Sequence, residues 1–499
     1  MTLACFLAAG PGGEALASDP TLARYSDEPS NVFWFIQITD THIDNVFYAD
    51  GPDKLAWVAS EGFDTVNPLF VAATGDLTDS TNGVVYGFGP YEAEWNIYRE
   101  RIDDAGMTAE TWFDLPGNHD VYGDANASFY LAYSVQGPEQ GTTQPHWRFD
   151  LPFGSYHFVG VATPCNDWLQ WPFDNTQITD EELSQIQADL EANTDTNLTI
   201  AMGHHNYIRS DGRDLPGGPE LDALFTLHGV PYYIHGHSHD HVAEVSAGGV
   251  LFQRVNSLGK ADADNFCVHA VDNDSISHTC AAARDAWPMI VITAPVDAML
   301  GMDDSVEHPH APTVPAACSE APVRALVFDT EPLAGVSFWW DTGETGDMEE
   351  SDAIDGQWIG TFDARGMEAG LHNLTVEATG TRTRSIQVQV LVEERDCDFS
   401  GETLDEDDLE EPVEAPPEYA ESVMEDAGTD GEETIEDAMP DPSDAAGDPD
   451  LSQDAADTAG DLPRPDAETD ASLDAPDDDD ADGPDGEMSE GGCGCVISR

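Results

Sequence analysis

Short apolar runs rich in β-branched and aromatic residues recur through the first half of the chain, and each stops at a small polar cluster. The runs are Val32–Ile38, Leu69–Ala73, Thr111–Leu115, Leu198–Met202 and Tyr232–Ile234. They are too short for independent helices, and their nearly continuous apolar character predicts strands buried on both faces. Between them the period changes. Thr179 followed by Glu182 has the spacing of a capping box, and Leu183, Ile186 and Leu190 then fall on one face of a helix. Tyr91, Trp95, Tyr98 and Ile102 make a second helical stripe ahead of Gly106. Strands alternating with helices predict an α/β domain over residues 30–286.

Beyond His239 only strand patterns remain: Leu251–Val255, Cys267–Val271, Ile290–Thr293, Arg324–Phe328, Val336–Trp340, Trp358–Phe362, Asn373–Val376 and Ser385–Val390. Those within 287–397 predict a small β-sandwich of immunoglobulin-like type. Residues 398–490 are dominated by Asp, Glu, Pro, Ala and Gly, with Arg464 the one basic residue. Such a segment cannot bury enough apolar surface to offset chain entropy, so it predicts a disordered, self-repelling spacer.

Charge narrows the partners. The chain carries 99 Asp plus Glu against 17 Lys plus Arg, a formal charge of −82. Nucleic acid and anionic membrane surfaces are repelled by that field, so polynucleotide is excluded as a substrate class. Lys occurs only at Lys54 and Lys260, a composition suited to high salt. Cys267 and Cys280 flank an Asn273-Asp274 turn, and Cys318 and Cys397 bracket the predicted sandwich; both pairs are disulfide candidates. Residues 1–18, with an apolar patch at Leu3 to Ala9 and an Ala15-Leu16-Ala17 ending, read as a secretory signal. At the other end, Gly491 to Cys495 within residues 491–499 resembles the Gly-Cys head of a C-terminal sorting signal of myxobacterial type, a candidate surface tether. No run reaches the length of a membrane span. The expected location is secreted, periplasmic or cell-surface.

The polar clusters that end the five runs carry the chemistry: Asp40-Thr41-His42, Gly75-Asp76-Leu77-Thr78-Asp79, Gly117-Asn118-His119-Asp120, Gly203-His204-His205 and Gly236-His237-Ser238-His239. Open α/β sheets gather ligands at the carboxyl ends of their strands. One Asp or His after a strand is ordinarily a turn residue or a helix cap, but a series in this order predicts a two-metal hydrolytic site. Two cations held close together need a shared carboxylate, and Asp76 is the natural bridge. Asp40, His42 and His239 are assigned to one ion, and Asn118, His204 and His237 to the other. The all-N/O ligand set suits Mn, Fe, Zn, Co or Ni. His205 is the alternative to His204, and His235 and His241 are read as supporting or exposed imidazoles.

The series DxH, GDxxD, GNHD, GHH and GHxH, running from Asp40 to His239, resembles the calcineurin-like metallophosphoesterase superfamily. Glu94 to Tyr98, Pro152 to Tyr156 and Trp287-Pro288 are similar to a narrower branch, the animal transmembrane metallophosphoesterase-like proteins. The resemblance implies an αββα sandwich and hydrolysis of a small phosphoester by in-line attack of a metal-bound hydroxide at a dinuclear centre. It also implies that His119 assists the leaving group, with Asp120 orienting His119. Purple acid phosphatases carry a Tyr ligand where this chain has Asp79, which is read as structural. A non-catalytic surface or adhesion protein, its acidic segment collecting Ca²⁺, is the competing class. Loss of Asp76 or Asn118 would favour it, and both are present.

Overall fold

The computed structural model describes residues 24–399 except 44–48, 82–88, 125, 165–176, 209–213, 261–263 and 301–305. The expected signal, acidic spacer and Gly/Cys tail lie outside the described residues, apart from Asp398 and Phe399. Eleven strands build the first part of the chain: β1 (Val32–Ile38), β2 (Val71–Thr74), β3 (Trp112–Leu115), β4 (His146–Leu151), β5 (Gly154–Val161), β6 (Leu198–Gly203), β7 (Tyr232–His235), β8 (Val242–Val245), β9 (Leu251–Arg254), β10 (Asn265–Asp272) and β11 (Ser275–Ala282). The helices between them include α1 (Gly51–Trp57), α2 (Phe63–Val66), α3 (Glu92–Asp104), α4 (Ser128–Tyr133), α5 (Gln136–Gln140), α6 (Asp180–Ala192) and α7 (Gly218–Leu227).

The strands form two sheets, ordered β11-β10-β1-β2-β3 and β4-β5-β6-β7-β9-β8. Side chains alternate across each strand, so a strand buried on both faces feeds two cores. Phe33 and Phe35 of β1 join Phe70, Phe113, Phe158, Ile200 and Ile234 in the layer between the sheets. Val32, Ile36 and Ile38 of the same strand face outward onto Leu55, Trp95, Tyr98 and Ile102 of α1 and α3. On the far side, Ile186 and Leu190 of α6 and Leu221 and Phe225 of α7 cover the second sheet. The result is helix, sheet, sheet, helix, the expected αββα sandwich. Both halves of the Thr179 capping box form at the start of α6. Tyr91 sits just outside α3 as its N-cap, while Trp95, Tyr98 and Ile102 are buried.

The strand-only stretch after His239 first completes these sheets. β8 and β9 extend the second sheet beside β7. β10 pairs antiparallel with β1, and β11 with β10. Asn273 and Asp274 turn that hairpin with φ of 48° and 65°, the left-handed pair that a tight two-residue hairpin loop demands. The disulfide Cys267–Cys280 crosses it, and Cys318–Cys397 closes the region beyond.

The second β region contains β12 (Met289–Ala294), β13 (Met299–Leu300), β14 (Val306–Glu307), β15 (Val314–Pro315), β16 (Ala321–Phe328), β17 (Gly335–Trp340), β18 (Thr345–Glu350), β19 (Gln357–Phe362), β20 (Gly370–Thr379) and β21 (Thr383–Glu393). β18 pairs with β17 through Thr345 to Met348 and with β19 through Glu349 and Glu350, so it passes from one leaf to the other. Val323, Phe338, Trp340, Val376 and Val390 fill the space between the leaves.

A buried ion pair ties this region to β10. Arg324 on β16 donates to both oxygens of Asp272 at 2.8 and 3.0 Å and to the Ser26 carbonyl, and the Thr293 hydroxyl also donates to Asp272. Both ionic side chains are 1% exposed. Removing one partner leaves the other buried without a counter-charge, which costs about 3–5 kcal/mol. Asp272→Ala should lower unfolding stability by that amount in a urea titration, and a loss under about 1 kcal/mol would show that water reaches the guanidinium.

Candidate metal centre

The parallel strands β1, β2 and β3 of one sheet and β6 and β7 of the other end at the same edge of the sandwich. Each run therefore delivers its polar cluster to one place. The loops leave the strands abruptly: Asp40, His42, Asp76, His237 and His239 all have left-handed φ, between 41° and 79°. Such backbone costs on the order of 1 kcal/mol or more per residue and persists where surrounding contacts over-determine it. Here Asp40 N–H donates to the Gly75 carbonyl and His42 N–H to the Asp76 carbonyl, locking the first two loops together. Gly75 has a φ of 94°, and a Cβ there would lie 2.6 Å from His204 Nδ1. Only glycine allows that approach.

Each carboxylate has one oxygen anchored and one left for the site. Asp40 Oδ2 accepts from the His237 N–H at 2.9 Å and the Thr39 hydroxyl at 2.8 Å. Its Oδ1 faces His239 Nε2 at 3.2 Å, His42 Nε2 at 3.6 Å and His204 Nε2 at 3.9 Å. Asp76 Oδ1 accepts from the His119 N–H at 2.8 Å. Its Oδ2 lies 3.2 Å from His204 Nε2 and 3.6 Å from His42 Nε2, between the two half-sites.

The imidazoles are held from behind. His204 Nδ1 donates to the Thr74 carbonyl at 2.8 Å, which leaves Nε2 unprotonated in the neutral ring. His42 Nδ1 lies 3.3 Å from Asp79 Oδ1. Imidazole backed by a carbonyl or carboxylate is the usual arrangement of a metal-ligating histidine. Asn118 Nδ2 donates to the Tyr122 hydroxyl at 2.8 Å, so its Oδ1 is buried without a hydrogen-bond partner. His42 Nε2 and His204 Nε2 are buried and likewise make no hydrogen bond. Buried lone pairs left unbonded are costly, and atoms of this kind facing shared carboxylates fit a divalent cation. Ligand atoms of Asp40, His42 and His239 fall within 4.8 Å of one another, as do those of Asp40, Asp76 and His204, and those of His204, His205 and His237.

The electrostatics agree. Burial opposes protonation of His204, yet the charges of Asp76 and Asp40 outweigh it and lift the imidazole to about 9. Burial likewise opposes ionisation of Asp40 and Asp76, but the surrounding imidazoles, His204 foremost, hold both well below the usual carboxylate range. Such negative potential attracts cations.

Two sequence expectations need correction. Asp120 does not orient His119. Its oxygens accept from the N–H groups of Gly117, Leu77 and Thr78 and from the Thr78 hydroxyl, so it clamps the second loop to the third. Burial, with the Asp76 charge added, raises it to about 7. His119 is instead held through Nδ1 by the Asp79 carbonyl at 2.5 Å, and burial lowers it to about 4. Asp79 is thus more than a loop residue: its carboxylate backs His42 while its carbonyl fixes His119. The spacing in GDxxD could have pointed to this, since it returns a second carboxylate toward the first loop. The fourth cluster places His204 against the carboxylates, whereas His205 Nδ1 meets the Thr163 hydroxyl at 2.7 Å and its ring lies 4.2 Å from that of His237. His235 is a buried core histidine, lowered to about 3 by burial.

Residues 33–241 match the family model of the calcineurin-like phosphoesterases. This part of the chain is a calcineurin-like metallophosphoesterase domain. Transmembrane protein 62 of Mus musculus is 26% identical over 377 residues, covering 72% of this chain and 54% of that protein. The 3',5'-cyclic adenosine monophosphate phosphodiesterase CpdA of Vibrio vulnificus is 24% identical over 187 residues, 36% of this chain and 57% of its own length. The chain thus spans about half the length of these relatives. A dimetal phosphatase structure from Danio rerio is 14% identical, with a TM-score of 0.41, covering 51% of this chain and 96% of that one. Among the described residues no helix is long and apolar enough to cross a membrane.

Proposed function

We propose that this protein hydrolyses small phosphoesters with two divalent metal ions. The observation that carries the reading is Asp76 Oδ2, buried between the unbonded Nε2 atoms of His204 and His42. Asp76 is the bridge. Asp40, His42 and His239 complete one half-site, and Asn118, His204 and His237 the other. The ions, when bound, supply Lewis acidity to the phosphoryl oxygens and activate a water at neutral pH.

The chain's own groups do the rest. Asp40 and Asp76 set the charge of the site, and their anchored oxygens keep both carboxylates in one orientation. Thr74 and Asp79 hold His204 and His42 so that Nε2 points at the carboxylates. His119, mostly buried beside the site with its Nδ1–H on the Asp79 carbonyl, presents an Nε2 that is unprotonated in the free protein because burial lowers the ring to about 4; the negative charge of a bound phosphoryl group would favour its protonation, and from Nε2 the proton would pass to the departing alkoxide. Its position supports a leaving-group role, because Nε2 is 3.9 Å from Asp76 Oδ2, further than the Nε2 atoms of His204 at 3.2 Å and His42 at 3.6 Å. Asp120 maintains the loop that carries Asn118 and His119.

The deciding experiment reconstitutes the protein with Mn, Fe, Zn, Co or Ni and assays a panel of phosphomonoesters and phosphodiesters while bound metal is quantified. The panel includes a cyclic nucleotide, because one relative is named for that substrate. Metal-dependent turnover of at least one class is expected. Stoichiometric metal with no turnover on any substrate would leave a metal-binding protein without this activity.

A further inference from the structure

Outside the centre just described, the fold assembles one group of metal-ligating side chains among the described residues. His241, exposed in the loop before β8, has a ring nitrogen within 4.8 Å of the sulfurs of Cys267 and Cys280. Cys267 is fully buried on β10 and Cys280 half-buried on β11, and the two are joined as a disulfide. They are directly opposite in the hairpin register, so the strands hold them together whether or not the sulfurs are bonded. A cavity of about 970 Å³ opens beside them between β8, β11, β12 and β21, and both His241 and Cys280 line it. The imidazole has no evident role at the phosphoesterase centre, where His239 and His237 already supply that loop's ligands.

We propose that reduction of Cys267–Cys280 creates a zinc site whose ligands are the two thiolates and His241. A thiol reductant reaching Cys280 through the cavity transfers two electrons to the S–S bond and leaves as its own disulfide. The two protein thiols then lose their protons to solvent as they bind the ion. Thiolate and imidazole are the preferred ligands of zinc, and a fourth position opens to the cavity for water. Zn–S and Zn–N bonds of roughly 2.0–2.3 Å set ligand atoms about 4 Å apart, so the freed sulfurs must separate by side-chain rotation while His241 is already within reach. The site would exchange a covalent staple across β10 and β11 for a metal one, in response to redox conditions. It depends on none of the residues assigned to phosphoester hydrolysis.

The test uses the full chain with Cys493 and Cys495 changed to Ser, titrated with Co²⁺ as a spectroscopic substitute for zinc, before and after reduction. Cobalt at the phosphoesterase centre meets only nitrogen and oxygen, and Cys5, Cys165 and the Cys318–Cys397 pair are common to parent and variants, so the thiolate-to-cobalt charge-transfer intensity that the parent shows in excess of the Cys267→Ser/Cys280→Ser variant reports the new site. That excess is expected only after reduction, and it is displaced by Zn²⁺. His241→Ala keeps the disulfide for folding, and after reduction should bind cobalt at least about tenfold more weakly, the least that loss of even a supporting partner costs a metal site. If reduction alone loosens the fold, restoration of near-UV circular dichroism by zinc in the parent but not in the Cys267→Ser/Cys280→Ser variant supports the site, and equal restoration or none in both counts against it. A reduced parent spectrum indistinguishable from that of the double variant, or unchanged affinity in His241→Ala, overturns the proposal.

Discussion

Asp76→Asn should abolish metal binding at both half-sites while leaving the protein folded. The amide keeps the shape of the side chain, and its oxygen can still accept the His119 N–H that Asp76 Oδ1 accepts at 2.8 Å. The change falls on Oδ2. Where a charged oxygen sat 3.2 Å from His204 Nε2 and 3.6 Å from His42 Nε2, an NH₂ group would donate toward ring nitrogens that otherwise serve the cations. Two positive ions would then share a neutral group, and their repulsion would go uncompensated. Activity should fall further than the roughly 10²–10³-fold that removal of one electrostatic donor costs an enzyme. The thermal midpoint in the presence of chelator should fall only modestly, because the substitution removes the carboxylate that favours protonated His204 but also the buried negative charge that raises Asp120. Elemental analysis after reconstitution, read beside that midpoint, separates loss of the bridge from loss of the fold. Two metal equivalents with normal turnover in the variant would refute the bridging assignment.

The second large effect is expected at His119, and it should divide differently between binding and rate. The imidazole is fastened to the loop of Asp79 through Nδ1, and its Nε2 stands 3.9 Å from the Asp76 carboxylate. His119→Asn should therefore retain the metal content of the parent and lower kcat by about a hundredfold or more, the usual worth of general acid catalysis. The loss should shrink on p-nitrophenyl esters, whose leaving group needs no proton, and be full on alkyl esters. Equal losses on both would place His119 in phosphate binding instead.

Much of the architecture was legible because burial on both faces imprints itself on composition. The strands β1, β6 and β7 are almost wholly apolar, since residues on one face fill the layer between the sheets and residues on the other meet helices. The α6 helix announced its start through Thr179 and Glu182. Elements with little buried surface were not legible. β18 reads Thr-Gly-Asp-Met-Glu-Glu with only Met348 buried, and its backbone ladder, rather than its side chains, makes it a strand. β4 and β8 lie at or beside sheet edges with half-exposed faces and left a similarly weak pattern.

By itself the sequence determined the residue types of the candidate site and their order, because the proposed two-metal centre calls for Asp, His and Asn at strand ends whatever the loops between them do. It could not decide which atom of each residue faces the site. That was settled by contacts between segments far apart in the chain: His237 N–H on Asp40, His119 N–H on Asp76, the Thr74 carbonyl behind His204 and Asp79 behind His42. Nor could it assign Asp120 to loop clamping rather than to His119, since the two are neighbours in sequence and only the loop conformation turns their side chains to different partners. The left-handed φ of Asp40, His42, Asp76, His237 and His239 belongs to the same class. Local preference disfavours it, and only packing of the two sheets face to face, with hydrogen bonds crossing between their loops, makes it the lower free-energy choice.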